Sequence, residues 1–316
     1  MLNNMSTISR SISTGVRTGR KERQQEAGRT LISSIERRHT GVRIVLNLIL
    51  LLLIMGSITY LLPLLWLFIG AIKSAPELLD VPPALLPHVV QWVNYAIAWS
   101  DISFGLYFIN TIIITFVGWL ISMIVNVLAA YSLSKLRPGL SGVIMILFLS
   151  TMMIPGVVYI IPQYLNVVNL HLINQWWSLW LPGAFSAFNI LILKSFFDSI
   201  PAELTDSAVI DGANQVQILF NIILPLSKPV ISVITIFAII GSWQQFFGPY
   251  LYITDPNKWP IGTALYVNLS NPANIQVPVN IQFAAMAIAA IPPLLFFAFF
   301  QKQVIKGINL SGFMNG

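Results

Sequence analysis

The sequence predicts an all-α membrane protein of six transmembrane helices, and three observations carry that prediction. Hydrophobic residues make up 56% of the chain and charged residues only 9%, whereas a soluble domain carries about 25% charge. Six stretches stay apolar over roughly the 20 residues that a spanning helix needs. Lys and Arg, finally, are segregated to alternate connectors, as they are in multi-pass proteins.

The elements follow in order. Residues 1–43 hold nine of the 17 Lys and Arg, from Arg10 to Arg43. A signal peptide places a compact apolar segment directly after a short charged region, and a nucleic-acid arm carries aromatic stacking residues. Neither pattern is present, so the tail reads as a solvated basic segment that keeps the N-terminus in the cytoplasm. The first span runs from about Ile44 to Ile72. An outer segment, 73–106, follows, and Pro76, Pro82, Pro83 and Pro87 give it extended or turn backbone. The second span lies near Tyr107–Tyr131 and the third near Val143–Leu165, with a kink expected at Pro155-Gly156. The fourth lies near Trp176–Leu193 and the fifth near Pro229–Ile253. A polar outer connector, 254–278, carries Asn257, Asn268, Asn271, Asn274 and Gln276. It is either a hydrophilic linker or a contact for an extracellular partner. The sixth span, near Val279–Phe300, holds Ala284, Ala285, Ala287, Ala289 and Ala290, which let another helix come close, in this chain or in a second subunit.

With the N-terminus inside, the tail residues share the cytoplasmic side with Lys135, Arg137, Lys194, Lys228, Lys302 and Lys306, against only Lys73 and Lys258 outside. Both termini, including the tail 308–316, are then cytoplasmic, and so is the 194–228 loop. Trp176, Trp177 and Trp180 fall where the fourth span meets the outer headgroups, a level that suits amphipathic rings.

Several chemistries are excluded. Cys is absent, and His39, His88 and His171 have no ligand spacing, so no metal site is expected. Ionisable residues are essentially missing from the spans, which argues against a proton-coupled carrier or an intramembrane protease. No Walker-type glycine loop occurs, so any ATP must be used by another chain. No catalytic residue and no bound cofactor is expected. The polar groups at membrane depth are neutral: Asn110, Tyr159, Gln163, Asn189, Gln244 and Gln245, with Asn126 beside them. Amides and aromatic rings suit a hydroxyl-rich solute. The same residues would serve equally as interhelical hydrogen bonds, worth about 0.6 kcal/mol each.

Between the fourth and fifth spans stands the one patterned polar stretch, Ile200-Pro201-Ala202-Glu203-Leu204-Thr205-Asp206-Ser207-Ala208-Val209-Ile210-Asp211-Gly212-Ala213. Pro201 and Glu203 suit a helix start, and Asp211-Gly212 reads as a break. A short helix, a turn and a second short segment are therefore expected, closed by Leu224-Pro225. An ordinary interfacial helix would fit the alternation as well.

This stretch resembles the EAA loop of ABC importer permeases, with Asp206-Ser207-Ala208 at the triplet and Asp211-Gly212-Ala213 at the family spacing. Asp stands in for Glu and Ser for the first Ala. Pro63-Leu64-Leu65-Trp66, Ala130-Tyr131-Ser132, Phe196-Phe197 and Gln301–Gly307 are also similar to the carbohydrate, maltose-system G-type permeases. Trp243-Gln244-Gln245 departs from that family's Trp-Asn-acid pattern. The resemblance implies a transmembrane domain over 44–307 whose loop 194–228 carries a cytoplasmic coupling helix. Its contact with an ATPase would fall on Glu203, Asp206, Ser207, Ala208, Asp211, Gly212, Ala213 and Pro225. The implied partners are a second homologous permease, two ATP- and Mg-binding ATPase subunits, an external solute-binding protein and the bilayer of the bacterial plasma membrane, with no nucleic acid. The implied activity is ATP-driven import of a sugar or oligosaccharide, with a polyol, glycerol phosphate or a secondary carrier as the alternatives.

Overall fold

The computed structural model describes residues 40–101, 103–270 and 277–312, and among them every regular element is helical. The basic tail up to residue 39, Asn271, Asn274, Gln276 and residues 313–316 lie outside the described residues. The chain divides into two units, Met1–Trp66 and Leu67–Gly316.

In the first unit the described part is most of helix α1, Thr40–Ala71. Its Ser57 and Thr59 hydroxyls donate to the Leu53 and Met55 carbonyls one turn back. A hydroxyl facing lipid has no water to bond, so the helix satisfies it internally.

The second unit holds α2 (Ala75–Leu79), α3 (Val93–Asp101), α4 (Phe104–Tyr131), α5 (Ser141–Met152), α6 (Ile160–Asn169), α7 (Trp177–Ala184) and α8 (Ala187–Ser199). There follow α9 (Ala202–Ile210), α10 (Gln215–Ile218), α11 (Lys228–Gln244), α12 (Phe247–Tyr252), α13 (Ile261–Ser270) and α14 (Val279–Gly312). Three helical stretches are each long and apolar enough to cross a membrane: Thr40–Ala71, Phe104–Leu136 and Val279–Gln301. The count reaches 6 if each of three bent pairs is one span.

The bends are sharper than a proline kink. Ser141–Met152 meets Gly156–Asn169 at 98°, because the backbone around Pro155, which has no N–H to donate, leaves the helix altogether. Helices α7 and α8 meet at 43°, and Gln215–Leu226 meets Lys228–Gln244 at 79°. The expected fifth span is helical only to Gln244, breaks at Gln245-Phe246, and resumes as α12.

Asn126 explains why the break between α7 and α8 is tolerated. It is 2% exposed. Its Nδ2 donates to the Ala184 carbonyl at 3.3 Å, and its Oδ1 accepts from the Ser186 N–H at 2.9 Å. One amide therefore satisfies two of the backbone groups that the break frees, as an apolar surrounding requires.

Helix α4 packs against α7, α8, α11 and α13, and α14 packs against α3 and α11. Two apolar cores result. One joins the Tyr131 end of α4 to α8, α10 and α11 through Tyr131, Ile190, Phe197, Ile218, Ile223 and Ile234. The other joins the Phe104 end to α3, α13 and α14. Ala284, Ala285 and Ala287 are fully buried in the second core, so this part of the small-residue stripe serves packing within the chain. Gly70 shows the tightness: a Cβ there would collide with the Phe283 ring.

Candidate functional site

The polar stretch folds as two short helices joined by a rigid elbow. Helix α9 ends at Ile210, and Gly212 follows with φ +84°, in the left-handed region that side chains resist. The Gly212 N–H donates to the Val209 carbonyl at 3.0 Å and the Ala213 N–H to the Ala208 carbonyl at 2.9 Å. Those two bonds are the Schellman closure of a helix C-terminus. They give the residue spacing a physical reason. Ala208 and Ala213 are the two positions that meet under such a turn, and both pack on the core around Tyr131 and Ile218. The next residue, Asn214, caps α10: its side chain accepts from the Gln217 N–H, and Gln217 Oε1 accepts from the Asn214 N–H, both at 2.9 Å. Helix, left-handed turn and capping box thus follow with no free joint.

The elbow is bolted to two membrane helices. The Tyr131 hydroxyl donates to Gln215 Oε1 at 2.7 Å, and Lys135 Nζ donates to the Ile200 carbonyl at 2.9 Å. Ser134 donates to Asp198 Oδ1 at 2.7 Å, while Lys194 pairs with Asp198 Oδ2 at 2.6 Å. A half-exposed ion pair is worth little alone; here the second bond from Ser134 orients it.

The opposite face of the elbow is open. Glu203, Asp206, Ser207, Asp211 and Pro225 are exposed, and Glu203 lies in the first turn of α9, where the helix dipole favours it. Beside them stand Val209 and Ile210, 52% and 85% exposed, and Val216 at 63%. The sequence did not single out these three as contact residues, nor Tyr131, Lys135, Asp198 and Gln215 as the groups that fix the elbow. An apolar residue two positions before a left-handed glycine was the available signal for Ile210, because that position faces away from the core side of the turn.

Four of the six intramembrane candidates line one or other of two cavities. One, of about 520 Å3, is lined by Tyr159, Gln163 and Asn166 with Gly156, Pro162 and Pro182 around them. The other, of about 370 Å3, is lined by Trp119, Trp180, Ser122, Ser186, Asn189 and Gln245 among others. Its indole N–H groups are bonded to protein: Trp119 Nε1 donates to Thr235 Oγ1 at 3.0 Å and Trp180 Nε1 to the Ile114 carbonyl at 3.1 Å. The expected headgroup anchors Trp176 and Trp180 therefore spend their N–H groups on protein, Trp176 on the Lys258 carbonyl at 3.0 Å. Asn110 lines neither cavity. It is 4% exposed and donates to the Asn257 and Trp259 carbonyls at 2.8 and 3.0 Å, tying α4 to the connector before α13. Gln244 is exposed and also lines neither.

Broken membrane helices around neutral cavities, with a stiff polar elbow fixed to the helix ends, define a membrane transport subunit. Residues 126–309 match the family described as binding-protein-dependent transport system inner membrane component, and the chain belongs to that family. It is similar to the polygalacturonan/rhamnogalacturonan transport system permease protein YtcP of Bacillus subtilis, 32% identical over 82% of this chain and 94% of that one. It is similar also to the diacetylchitobiose uptake system permease protein NgcG of Streptomyces coelicolor, 30% identical over 83% of this chain and 87% of that one. Among solved structures, a bacterial ABC transporter involved in the import of the acidic polysaccharide alginate superimposes with a TM-score of 0.76, at 26% identity, over 84% of this chain and 98% of that chain. The chain is accordingly a multi-pass inner-membrane permease subunit of a binding-protein-dependent ABC importer. It is not itself an enzyme; ATP is hydrolysed by separate subunits, which with a solute-binding protein are its working partners.

Proposed function

We propose that this permease imports a sugar or oligosaccharide and is driven through the α9–α10 elbow. The observation that carries the reading is the elbow itself: stiff by its Schellman turn and capping box, fixed to α4 and α8, and open on one face. A motor moves a membrane helix only through a contact that does not flex, and a free joint would dissipate the displacement. Glu203, Asp206, Ser207, Ala208, Asp211, Gly212, Ala213 and Pro225 form the coupling segment, with Ala208 and Ala213 facing the core and the carboxylates facing the ATPase. The transmembrane domain covers 44–307, flanked by cytoplasmic tails 1–43 and 308–316, and the loop 194–228 is cytoplasmic by its excess of Lys and Arg. A second homologous permease completes the pore above two ATPase subunits.

The cargo reading rests on the cavities. Every residue lining the two is uncharged. Amides offer donors and acceptors to hydroxyls, and indole faces suit sugar rings. A phosphate would call for Arg or Lys there. The relatives named for diacetylchitobiose and polygalacturonan uptake agree with a saccharide.

Two measurements test this. The chain has no Cys, so Ser207→Cys gives a unique crosslinking site; in the assembled importer it should crosslink to an ATPase subunit, and absence of that product sinks the coupling assignment. Calorimetry on the cognate binding protein with neutral oligosaccharides and with glycerol phosphate decides the cargo, and preference for the phosphate reverses it.

A further inference from the structure

The segment between α1 and α4 is inside out. Three of its polar groups turn inward, Lys73 at 0% exposed, Glu77 at 8% and Asn94 at 2%, while Asp80 and His88 stay exposed. Lys73 Nζ donates to the Ala84 carbonyl, and the Glu77 carboxylate accepts from the Ser74 N–H at 2.9 Å and the His88 N–H at 2.8 Å. Its large apolar groups turn outward. Leu79, Val81, Leu85, Leu86, Val89 and Trp92 are 69–95% exposed.

The loop is also held at the level where the spans end. The Gln91 N–H closes onto the Ile72 carbonyl at 2.9 Å. Asn94 Nδ2 donates to the carbonyls of Ala71 and Lys73 at 2.9 and 2.8 Å, and its Oδ1 accepts from Asn280 Nδ2 near the start of α14 at 3.1 Å. Residues 73–90 are thus a closed loop tied directly to the end of one membrane span and the start of another.

We infer that this loop is a lipid-contact element, with Leu79–Trp92 seated in the headgroup–acyl boundary and the exposed Asp80 and His88 at its polar rim. Water would reward the opposite arrangement, with charge outward and aliphatic side chains inward. A soluble partner that docks and leaves would return the patch to water between visits, and such transient interfaces are about as polar as ordinary surface. Lipid is present at this level continuously, and Trp at the boundary is its usual marker. The inference holds whichever side of the membrane the loop occupies.

The test uses the complete importer in nanodiscs of phosphatidylethanolamine and phosphatidylglycerol, with a nitroxide on Leu85→Cys, Val89→Cys or Asp80→Cys. At 85 and 89, collisions with oxygen should exceed those with a water-soluble nickel chelate several-fold, with the order reversed at 80. Adding the binding protein should change neither. Greater access for the nickel chelate at 85 and 89 means water covers the patch and overturns the inference. Protection gained only on adding the binding protein, or low access for both reagents throughout, means a protein covers it, which overturns it equally. Retained uptake by the labelled variants certifies that the fold is intact.

Discussion

Replacing Gly212 separates stiffness from contact in the proposed coupling segment. Its φ is +84°, and an added Cβ would meet nothing within 4 Å. The cost of a side chain there is therefore purely conformational. An L-residue in the left-handed region costs about 1–2 kcal/mol, which lowers the population of the closed turn by roughly 5- to 30-fold relative to opened forms. Asn tolerates that region and should lose least, Ala should fall between, and the β-branched Val should lose most. The assay is a pair of rates on reconstituted importer: ATP hydrolysis stimulated by loaded binding protein, and solute uptake. With a closed Schellman turn required for force transfer, transport per ATP should fall in the order Gly212, Asn, Ala, Val, with insertion and assembly unchanged. Val transporting as well as Gly, or Asn failing as badly as Val, would refute the reasoning, since contact chemistry rather than backbone geometry would then be in control.

Four further outcomes are expected. Tyr131→Phe removes the bond to Gln215 and about 1 kcal/mol of anchoring; the elbow should exchange backbone deuterium faster while membrane insertion is kept. Asn126→Leu strands the Ala184 carbonyl and the Ser186 N–H at the α7–α8 break, at about 1–3 kcal/mol for each buried group, and should lower the melting temperature of purified protein; an unchanged melting temperature would mean that the break needs no such support. Tyr159→Ala with Gln163→Ala should cut uptake while the complex still assembles, and full uptake would reduce both to packing. Glu77 has its pKa lowered by the Ser74 N–H first and the His88 N–H second. The fold favours its ionised form, so its support is complete above the ordinary carboxylate range and disappears as pH falls through the lowered value. A nitroxide at Leu85 should become mobile in that acidic window, and Glu77→Gln should be mobile already at neutral pH with no pH dependence.

Much of the architecture was legible because a bilayer is a demanding solvent. Long apolar runs have few other fates, and α1, α4 and α14 lie where hydropathy puts them. The elbow was legible too, because Asp211-Gly212 followed by Ala213 is a local pattern whose geometry is decided within six residues. The bend of the third span at Pro155-Gly156 was legible as well, but the breaks in the fourth and fifth were not. Those breaks depend on whether a distant side chain satisfies the freed backbone, as Asn126 does for Ser186 sixty positions away. Hydropathy carries no record of such a partner.

The polar candidates make the same point at the level of single residues. Asn110, Asn126 and Asn189 are alike in sequence, each an amide in an apolar run. One bonds a connector, one repairs a broken helix and one lines a cavity. The sequence by itself determined that this is a helical membrane permease whose polar loop folds as helix, glycine turn and helix, since solvent and local backbone geometry are properties of short segments. Only the tertiary structure decided which amides face the cavities and which outer side chains face away from the protein. Those outcomes depend on where a buried group finds its hydrogen-bond partner, and the partner is set by packing between segments far apart in the chain.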